Sequence, residues 1–338
     1  GLRYDGLVIA PFFLEGGRYT VDDVHWVLSG ERMVPAAQTE FARDTTLGYD
    51  HSRLQDWVAE KTLGQVPAAA VMSIGLRTIR EGGPDAVTYL LLQARDRQVI
   101  IVNAASYRDM EVFVWGLMQA ERQGQRYLFR TAASFVKVRG GIPDRGLLTA
   151  DELWLPGGDE VMGGLTLVGS YVRRTTDQLN QVLRLEGITG LELHVAQVLD
   201  EKRRAAEIER ARRLVEEALR KDCDVILYTS RELVLPPDMT QLQAAQQVSA
   251  ALVKVLRELS VKPRYLIGKG GITSSDLATD ALGVRKAQVL GQIVPGVPVW
   301  RLGQESKCPG LPYVVFPGNV GGPDALASAI RILRDGAG

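Results

Sequence analysis

Lys269–Asp276 has the sequence KGGITSSD and lies between the short apolar run Tyr265–Ile267 and the helix-like pattern Leu277–Leu282. The order strand, glycine loop, helix is typical of phosphate-binding sites in α/β proteins. Paired glycines let the backbone approach a ligand closely, and their N–H groups are open to an anion. The same pattern also occurs in loops that only connect two elements, so its interpretation depends on the rest of the chain.

Two other loops in the second half of the chain repeat this order. Gly169-Ser170 follows the apolar run Leu165–Val168 and precedes a helical pattern that begins near Thr175. Gly318-Asn319-x-Gly321 follows Tyr313–Phe316 and precedes the last helical pattern. Because the carboxyl ends of parallel strands meet at one edge of a sheet, three such loops can gather at one site.

The first half of the chain also alternates strand and helix patterns. Buried strands are predicted at Leu7–Ala10, Ala68–Ile74 and Val99–Asn103, shorter strands of a hairpin or flap at Thr20–Val27 and Met33–Ala36, and helices at Ser52–Lys61, Pro84–Gln93 and Met110–Gln123. Glycine and proline are dense from 140 to 164, as is typical of a linker. The sequence therefore predicts two three-layer α/β domains with mostly parallel sheets, at 1–145 and 164–338, joined by a linker at 146–163, with the active site in the cleft between the domains.

Four residues in the first half follow glycine loops or strand ends and are candidates for binding a carboxylate. They are Arg18, Arg77, Arg130 and Ser134. An arginine guanidinium can donate two parallel hydrogen bonds to one carboxylate. Solvent-exposed arginines are the commoner outcome at such positions, so both interpretations stay open.

Composition limits the functions that the chain can have. The 40 basic and 40 acidic residues give a formal net charge of +0, so no overall field favours nucleic acid or an anionic membrane. Two cysteines are too few for a disulfide framework and favour a cytoplasmic protein. No apolar run approaches the roughly 20 residues of a membrane span. His25, His51 and His194 are the only histidines and lack metal-ligand spacing, so we expect no protein-bound metal site.

Across nearly its whole length the chain resembles the four-carbon acid sugar kinase family. The motifs that carry this resemblance are Gly17-Arg18, Thr39-Glu40-Phe41-Ala42-Arg43-Asp44, Gly169-Ser170 with Thr175 and Gln178, Gly270-Gly271-x-Thr273, Pro295-Gly296-Val297-Pro298 and Gly318-Asn319-x-Gly321. The resemblance implies an N-terminal sugar-acid-binding domain and a C-terminal nucleotide-binding domain. The implied activity is the ATP- and Mg²⁺-dependent phosphorylation of a hydroxyl group on a four-carbon sugar acid such as threonate or erythronate.

The resemblance also implies site residues. It places Ser170, Gly270, Gly271, Thr273 and Gly318 at the ATP site and Arg18 on the substrate side. With neighbouring loop residues, the predicted nucleotide site comprises Ser170, Thr175, Lys269, Gly270, Gly271, Ile272, Thr273, Ser274, Gly296, Gly318, Asn319 and Gly321. Lys269 is included because a cation beside the glycines can neutralise phosphate charge.

Two departures from the family pattern bear on activity. Ile272 stands where family members carry an acidic residue. Family members also begin with a strand that ends in Asp-Asp-x-Thr-Gly, and this chain starts downstream of that motif. Those acidic residues are the natural acceptors for the proton of the substrate hydroxyl. We therefore expect the catalytic base upstream of this chain, which is then either a fragment of a kinase or a catalytically poor form.

Two other functions remain open at this point. One is a sensor of the same fold that binds a sugar acid or a nucleotide without turnover. The other is a dinucleotide-dependent oxidoreductase, although the chain lacks G-x-G-x-x-G with an acidic residue about 20 positions further on. In each case we expect a small-molecule ligand, no nucleic acid and no membrane, and a homodimer would be common for such a protein.

Overall fold

The computed structural model describes residues 3–43, 48–154, 162–169, 173–232 and 234–335. Contacts divide the chain into two compact units, Gly1–Asp144 and Arg145–Gly338. Both units are α/β with mostly parallel sheets, which confirms the predicted fold class. Among the described residues, no helix is both long and apolar enough to cross a bilayer.

The first unit contains a four-stranded parallel sheet and a separate three-stranded antiparallel sheet. Its strands are β1 (Gly6–Ala10), β2 (Arg18–Val21), β3 (Val24–Ser29), β4 (Arg32–Pro35), β5 (Met72–Ile74), β6 (Gln98–Val102) and β7 (Tyr127–Thr131). Its α-helices are α1 (Leu54–Lys61), α2 (Leu76–Glu81), α3 (Gly83–Gln93), α4 (Tyr107–Arg122) and α5 (Ala133–Arg139). The parallel order is β5-β6-β1-β7, and β2-β3-β4 form the antiparallel sheet.

Alternate residues of the parallel strands enter two different cores. Val8 and Ile100 pack on one face of the sheet, whereas Ile9 and Ile101 pack on the other. Because side chains alternate across a strand, both faces of the sheet are covered and the unit has three layers.

Two details of the first unit differ from the sequence expectation. A two-residue turn at Asp22-Asp23 divides Thr20–Val27 into β2 and β3, and both turn residues have positive φ, 52° and 62°. Such turns match the twist of the strands they join, and aspartate tolerates the left-handed region. Ala68–Ala70 forms a 3₁₀ helix, so the strand predicted at Ala68–Ile74 is reduced to Met72–Ile74.

The second unit is built on a seven-stranded sheet with the order β12-β13-β14-β11-β8-β10-β9. Its strands are β8 (Leu165–Val168), β9 (Ile188–Leu193), β10 (Asp224–Thr229), β11 (Leu266–Lys269), β12 (Ala287–Val294), β13 (Val297–Leu302) and β14 (Pro312–Phe316). Its α-helices are α6 (Ala150–Leu153), α7 (Arg173–Val182), α8 (Val195–Leu199), α9 (Glu201–Arg220), α10 (Gln241–Glu258), α11 (Gly271–Asp276) and α12 (Ala325–Asp335), and α11 continues into a π-helix at Leu277–Ala281.

Five strands of this sheet are parallel, and β12 and β13 form an antiparallel edge. Leu167 and Leu227 pack in one core, whereas Val168 and Ile226 pack in the other. This sheet is therefore also the middle of three layers.

Part of the predicted linker packs on the second unit. Leu148 and Leu153 are buried in its core, and the Leu148 N–H donates to the carbonyl oxygen of Gln292 at 2.8 Å. Residues 155–161 lie outside the described residues. At the end of this segment, a Cβ atom on Gly164 would lie 2.0 Å from the Tyr265 ring, so only glycine fits there. The domain boundaries stay a prediction.

Candidate functional site

Three loops lie together at the carboxyl edge of the neighbouring strands β14, β11 and β8. The Gly270 N–H donates to the carbonyl oxygen of Phe316 at 2.9 Å, which joins the loops after β11 and β14. A Cβ atom on Gly169 would lie 2.4 Å from Thr273 Oγ1, so the loops after β8 and β11 touch because residue 169 is glycine. The structure therefore gathers the three loops that the sequence indicated.

The loop after β11 has one face that is fixed and one that is open. Gly270 has φ 122°, a conformation that favours glycine. Ser274 is buried, and its hydroxyl lies 2.8 Å from the carbonyl oxygen of Gly268, so it holds the loop in place. A Cβ atom on Gly271 would meet nothing within 4 Å, and Ile272 is 66% exposed. The open face at Gly271 and Ile272 has room for a ligand.

Lys269 is a fully buried cation at the end of β11. Its Nζ donates to the carbonyl oxygen of Pro317 at 2.8 Å and lies 4.3 Å from the centroid of the Phe316 ring. Burial, and then the positive charge of Arg174, lower the pKa of Lys269 from 10.5 to about 7. Among the described residues, no carboxylate forms an ion pair with this lysine. A buried cation without an anion is costly, so a bound anion would stabilise it.

Arg174 adds a second positive charge beside Lys269. It lies in the first turn of α7, which holds no acidic residue, and its Nη1 donates to the carbonyl oxygen of Asn319 at 2.8 Å. The positive end of the helix dipole disfavours a basic residue at this position and favours an anion. The sequence analysis did not select Arg174. The signal was present as two arginines at the start of a predicted helix.

The same helix holds the loop after β14 in place. Gln178 is fully buried, and its Nε2 donates to the carbonyl oxygens of Val320 at 3.1 Å and Gly322 at 2.9 Å. Thr175 is also fully buried, and its Oγ1 has no hydrogen-bond partner among the described residues. A buried hydroxyl without a hydrogen-bond partner destabilises the folded protein. A hydrogen bond between Thr175 and a ligand would remove this cost.

The other predicted nucleotide residues lie around the same edge or outside the described chain. Gly296 lies in the turn between β12 and β13, which falls at this edge because β13 is antiparallel to β14. Asn319 contributes its carbonyl oxygen to Arg174. A Cβ atom on Gly321 would lie 2.4 Å from Cβ of Ala325, and the φ of Gly321 is 82°. Ser170 lies outside the described residues.

The four predicted substrate residues occupy different surroundings in the first unit. Arg130 lines a cavity of about 250 Å³. Ser134 is buried and accepts a hydrogen bond from the N–H of Leu14. The side chain of Arg77 is 88% exposed and pairs with Glu81 at 2.9 Å. Arg18 lies on β2, where its charge helps to lower the pKa of His25.

Comparison with known families agrees with this arrangement. Residues 165–326 match a nucleotide-binding C-terminal domain, and residues 1–139 match a sugar-binding N-terminal domain. These are the two domains of one class of carbohydrate kinase. The chain belongs to the four-carbon acid sugar kinase family.

Individual relatives are distant. The chain is 26% identical over 277 residues to a 3-oxo-isoapionate kinase from Paraburkholderia graminis, an alignment that covers 75% of this chain and 56% of that protein. The chain thus spans about half the length of that curated relative.

Two solved structures are similar to the chain. A Salmonella typhimurium LT2 protein, provisionally described as a tRNA synthase, has a TM-score of 0.63 at 17% identity, covering 97% of this chain and 73% of that one. It shows that the fold is shared. A domain of unknown function from Bordetella bronchiseptica, solved as a domain-swapped dimer with citrate, has a TM-score of 0.44 at 20% identity, covering 98% and 72%.

Proposed function

We propose that this chain carries the two substrate-binding domains of a kinase that transfers the γ-phosphoryl group of ATP to a hydroxyl group of a small sugar acid. The observation that carries the proposal is the buried Lys269 beside Arg174, where the three glycine loops meet and where no described carboxylate pairs with the lysine. The distant 3-oxo-isoapionate kinase supports a sugar acid as acceptor. A four-carbon acid such as threonate or erythronate is our specific expectation.

Phosphoryl transfer asks mainly for positioning and for neutralisation of phosphate charge. A phosphate group beside Lys269 and Arg174 would add two attractive pairs that offset the repulsion between the two cations. The open backbone at Gly271 and the hydroxyl of Thr175, which has no partner among the described residues, would add hydrogen-bond donors. Each of these features is unfavourable or unused without an anion, and phosphate satisfies all of them.

Magnesium would enter with the nucleotide. In such sites Mg²⁺ is held mainly by phosphate oxygens and water, with one or two carboxylates. Across the described ranges, no group of three or more His, Cys, Asp or Glu side chains could hold a metal ion. We propose that Mg²⁺ binds together with the nucleotide phosphates. A cytoplasmic location and a homodimer stay predictions.

Calorimetric titration with MgADP and MgATP tests the nucleotide site. Gly271→Val should fold, because its side chain enters open space and its backbone is not left-handed, and it should weaken binding at least about tenfold by occupying the ligand's space. Gly146→Val is the matched control, because Gly146 also has open space around it and lies in the same unit. Equal nucleotide affinity in both variants would refute the site.

The release of ADP in the presence of threonate or erythronate then separates two functions. Turnover supports a kinase. Nucleotide and acid binding without ADP release, also in a longer protein that carries the family's Asp-Asp-x-Thr-Gly motif, would support a non-catalytic sensor instead.

A further inference from the structure

The first unit contains a cavity at the carboxyl edge of β1 and β7. Ile9 and Pro11 line it from the end of β1, and Arg130 and Thr131 line it from the end of β7. The parallel register places Ile9 opposite Arg130. Ligands of α/β sheets bind outside the carboxyl ends of the strands, so the cavity lies where a substrate is expected. A volume of about 250 Å³ exceeds the roughly 150 Å³ that holds a benzene ring.

The opposite wall comes from the segment that follows the antiparallel sheet. The residues of this segment that line the cavity, together with His25 of β3, are Ala36, Tyr49, His51, Ser52, Leu54 and Trp57. The cavity therefore combines an apolar surface at Ile9, Leu54 and Trp57 with polar groups at its rim. A polyhydroxy acid has the same two characters, because its C–H face is apolar and its hydroxyl and carboxylate groups are polar.

Arg130 and two histidines are the basic side chains among the described residues that line the cavity. Arg130 Cζ lies 5.1 Å from the centroid of the Trp57 ring, which holds the guanidinium beside the apolar wall. A hydrogen bond that His51 donates to the Glu60 carboxylate, with Nδ1 at 2.9 Å from Oε2, raises the pKa of His51. Burial, followed by the charge of Arg18, lowers the pKa of His25 to about 4, so His25 is a neutral hydrogen-bonding group. Among the described residues that line the cavity, none is an aspartate or a glutamate.

We propose that this cavity is the sugar-acid site, where Arg130 binds the carboxylate, Trp57 packs against the C–H face of the acid, and His25 and His51 contact its hydroxyl groups. This inference rests on the proposed function, because it assigns a place to the acid that the kinase would phosphorylate. It goes beyond the family match by naming the residues. The sequence predicted that these histidines do not bind a metal ion. The proposal assigns them to the hydroxyl groups of the acid.

The histidines also provide a sharp test. The chain has three, of which two line the cavity and His194 lies in the second unit. In ¹H–¹³C imidazole spectra, assigned with His25→Gln and His51→Gln, titration with threonate and with erythronate should shift the signals of His25 and His51. His194 should not move. Erythritol, which lacks the carboxylate, should bind at least about tenfold more weakly.

Arginine variants separate this site from general anion binding. Arg130 is exposed, so Arg130→Gln should fold, and it should raise the Kd for the acid about tenfold or more. Arg108→Gln, which removes an exposed arginine that pairs with Glu111 and does not line the cavity, should leave the Kd unchanged. An unchanged Kd in Arg130→Gln, or absent shifts at His25 and His51, would overturn the inference.

A MgADP titration of the same samples distinguishes the two proposals. If MgADP binds but neither acid shifts His25 and His51, the cavity is wrongly assigned and the nucleotide site stands. If the acids shift both histidines but MgADP does not bind, the cavity stands and the proposed kinase function fails.

Discussion

Replacing Lys269 with methionine should change how the stability of the protein depends on pH. In the folded protein the pKa of Lys269 is lowered from 10.5 to about 7, chiefly by burial. The folded state therefore binds fewer protons than the unfolded state between these values, and stability must rise with pH in this range. The penalty for burying the charge is absent above about pH 10.5, grows as pH falls, and is complete below about pH 7.

The magnitude follows from the two pKa values. At about pH 7 the folded lysine is half protonated and at about pH 9 it is nearly neutral, whereas the unfolded lysine stays almost fully charged. The difference in bound protons averages about 0.8 over two pH units, and each full proton contributes about 1.4 kcal/mol per unit. The wild-type protein should therefore gain about 2 kcal/mol relative to Lys269→Met between about pH 7 and about pH 9.

Urea unfolding of both proteins at several pH values measures this gain directly, because other titrating groups cancel in the difference. Lys254→Met is the control, since Lys254 is half exposed and pairs with Glu258. The difference between wild type and Lys254→Met should stay nearly constant with pH. If wild type and Lys269→Met also differ by a constant amount, Lys269 is not a strained buried cation, and the main support for the phosphate site is lost.

Two further predictions concern the scaffold. Asp23→Asn should destabilise the protein by about 1–3 kcal/mol, because the carboxylate accepts hydrogen bonds from Gln55, Ser73 and Asn103, and an amide would place a donor against a donor. Asp22→Asn, at the exposed position of the same turn, should change the urea midpoint little, and equal losses in both would contradict the role of the network. Gly164→Ala should destabilise the protein by about 1–3 kcal/mol, because the new methyl group would overlap the buried Tyr265 ring. Gly146→Ala is the control and should be tolerated, because open space surrounds Gly146. Calorimetric unfolding temperatures compare the two variants, and an unchanged unfolding temperature for Gly164→Ala would contradict the packing at Tyr265.

Much of the fold could be predicted because burial on both faces gives continuous apolar strands. Leu165–Val168 was predicted as a strand and is one with the same bounds. The hairpin turn at Asp22-Asp23 was missed, because no glycine or asparagine marks it and its stability comes from long-range partners such as Asn103, 80 residues away. Local pattern cannot show a turn that distant side chains hold in place.

The candidate sites also contain some features that the sequence shows and others that only the structure shows. Glycine loops are visible in sequence because the backbone itself requires glycine, as at Gly270 with φ 122°. Side chains that act from other elements leave weaker signals. Arg174 and Trp57 contribute through packing that only the tertiary structure shows, and Arg77 has the same local context as Arg130 yet lies on an exposed helix face.

Unusual polar and charged residues in this protein differ in whether they have hydrogen-bond or ion-pair partners. This difference distinguishes residues that stabilise the fold from candidates for ligand binding. The left-handed Asp23 is strained, but its carboxylate has three hydrogen-bond donors, so stability alone explains it. Arg174 opposes a helix dipole. Among the described residues, Lys269 is buried without a carboxylate partner and the Thr175 hydroxyl has no hydrogen-bond partner. Selection for stability would remove each of these three costs. Because all three occur at one edge of one sheet and a phosphate group would relieve them together, they support the proposed phosphate site.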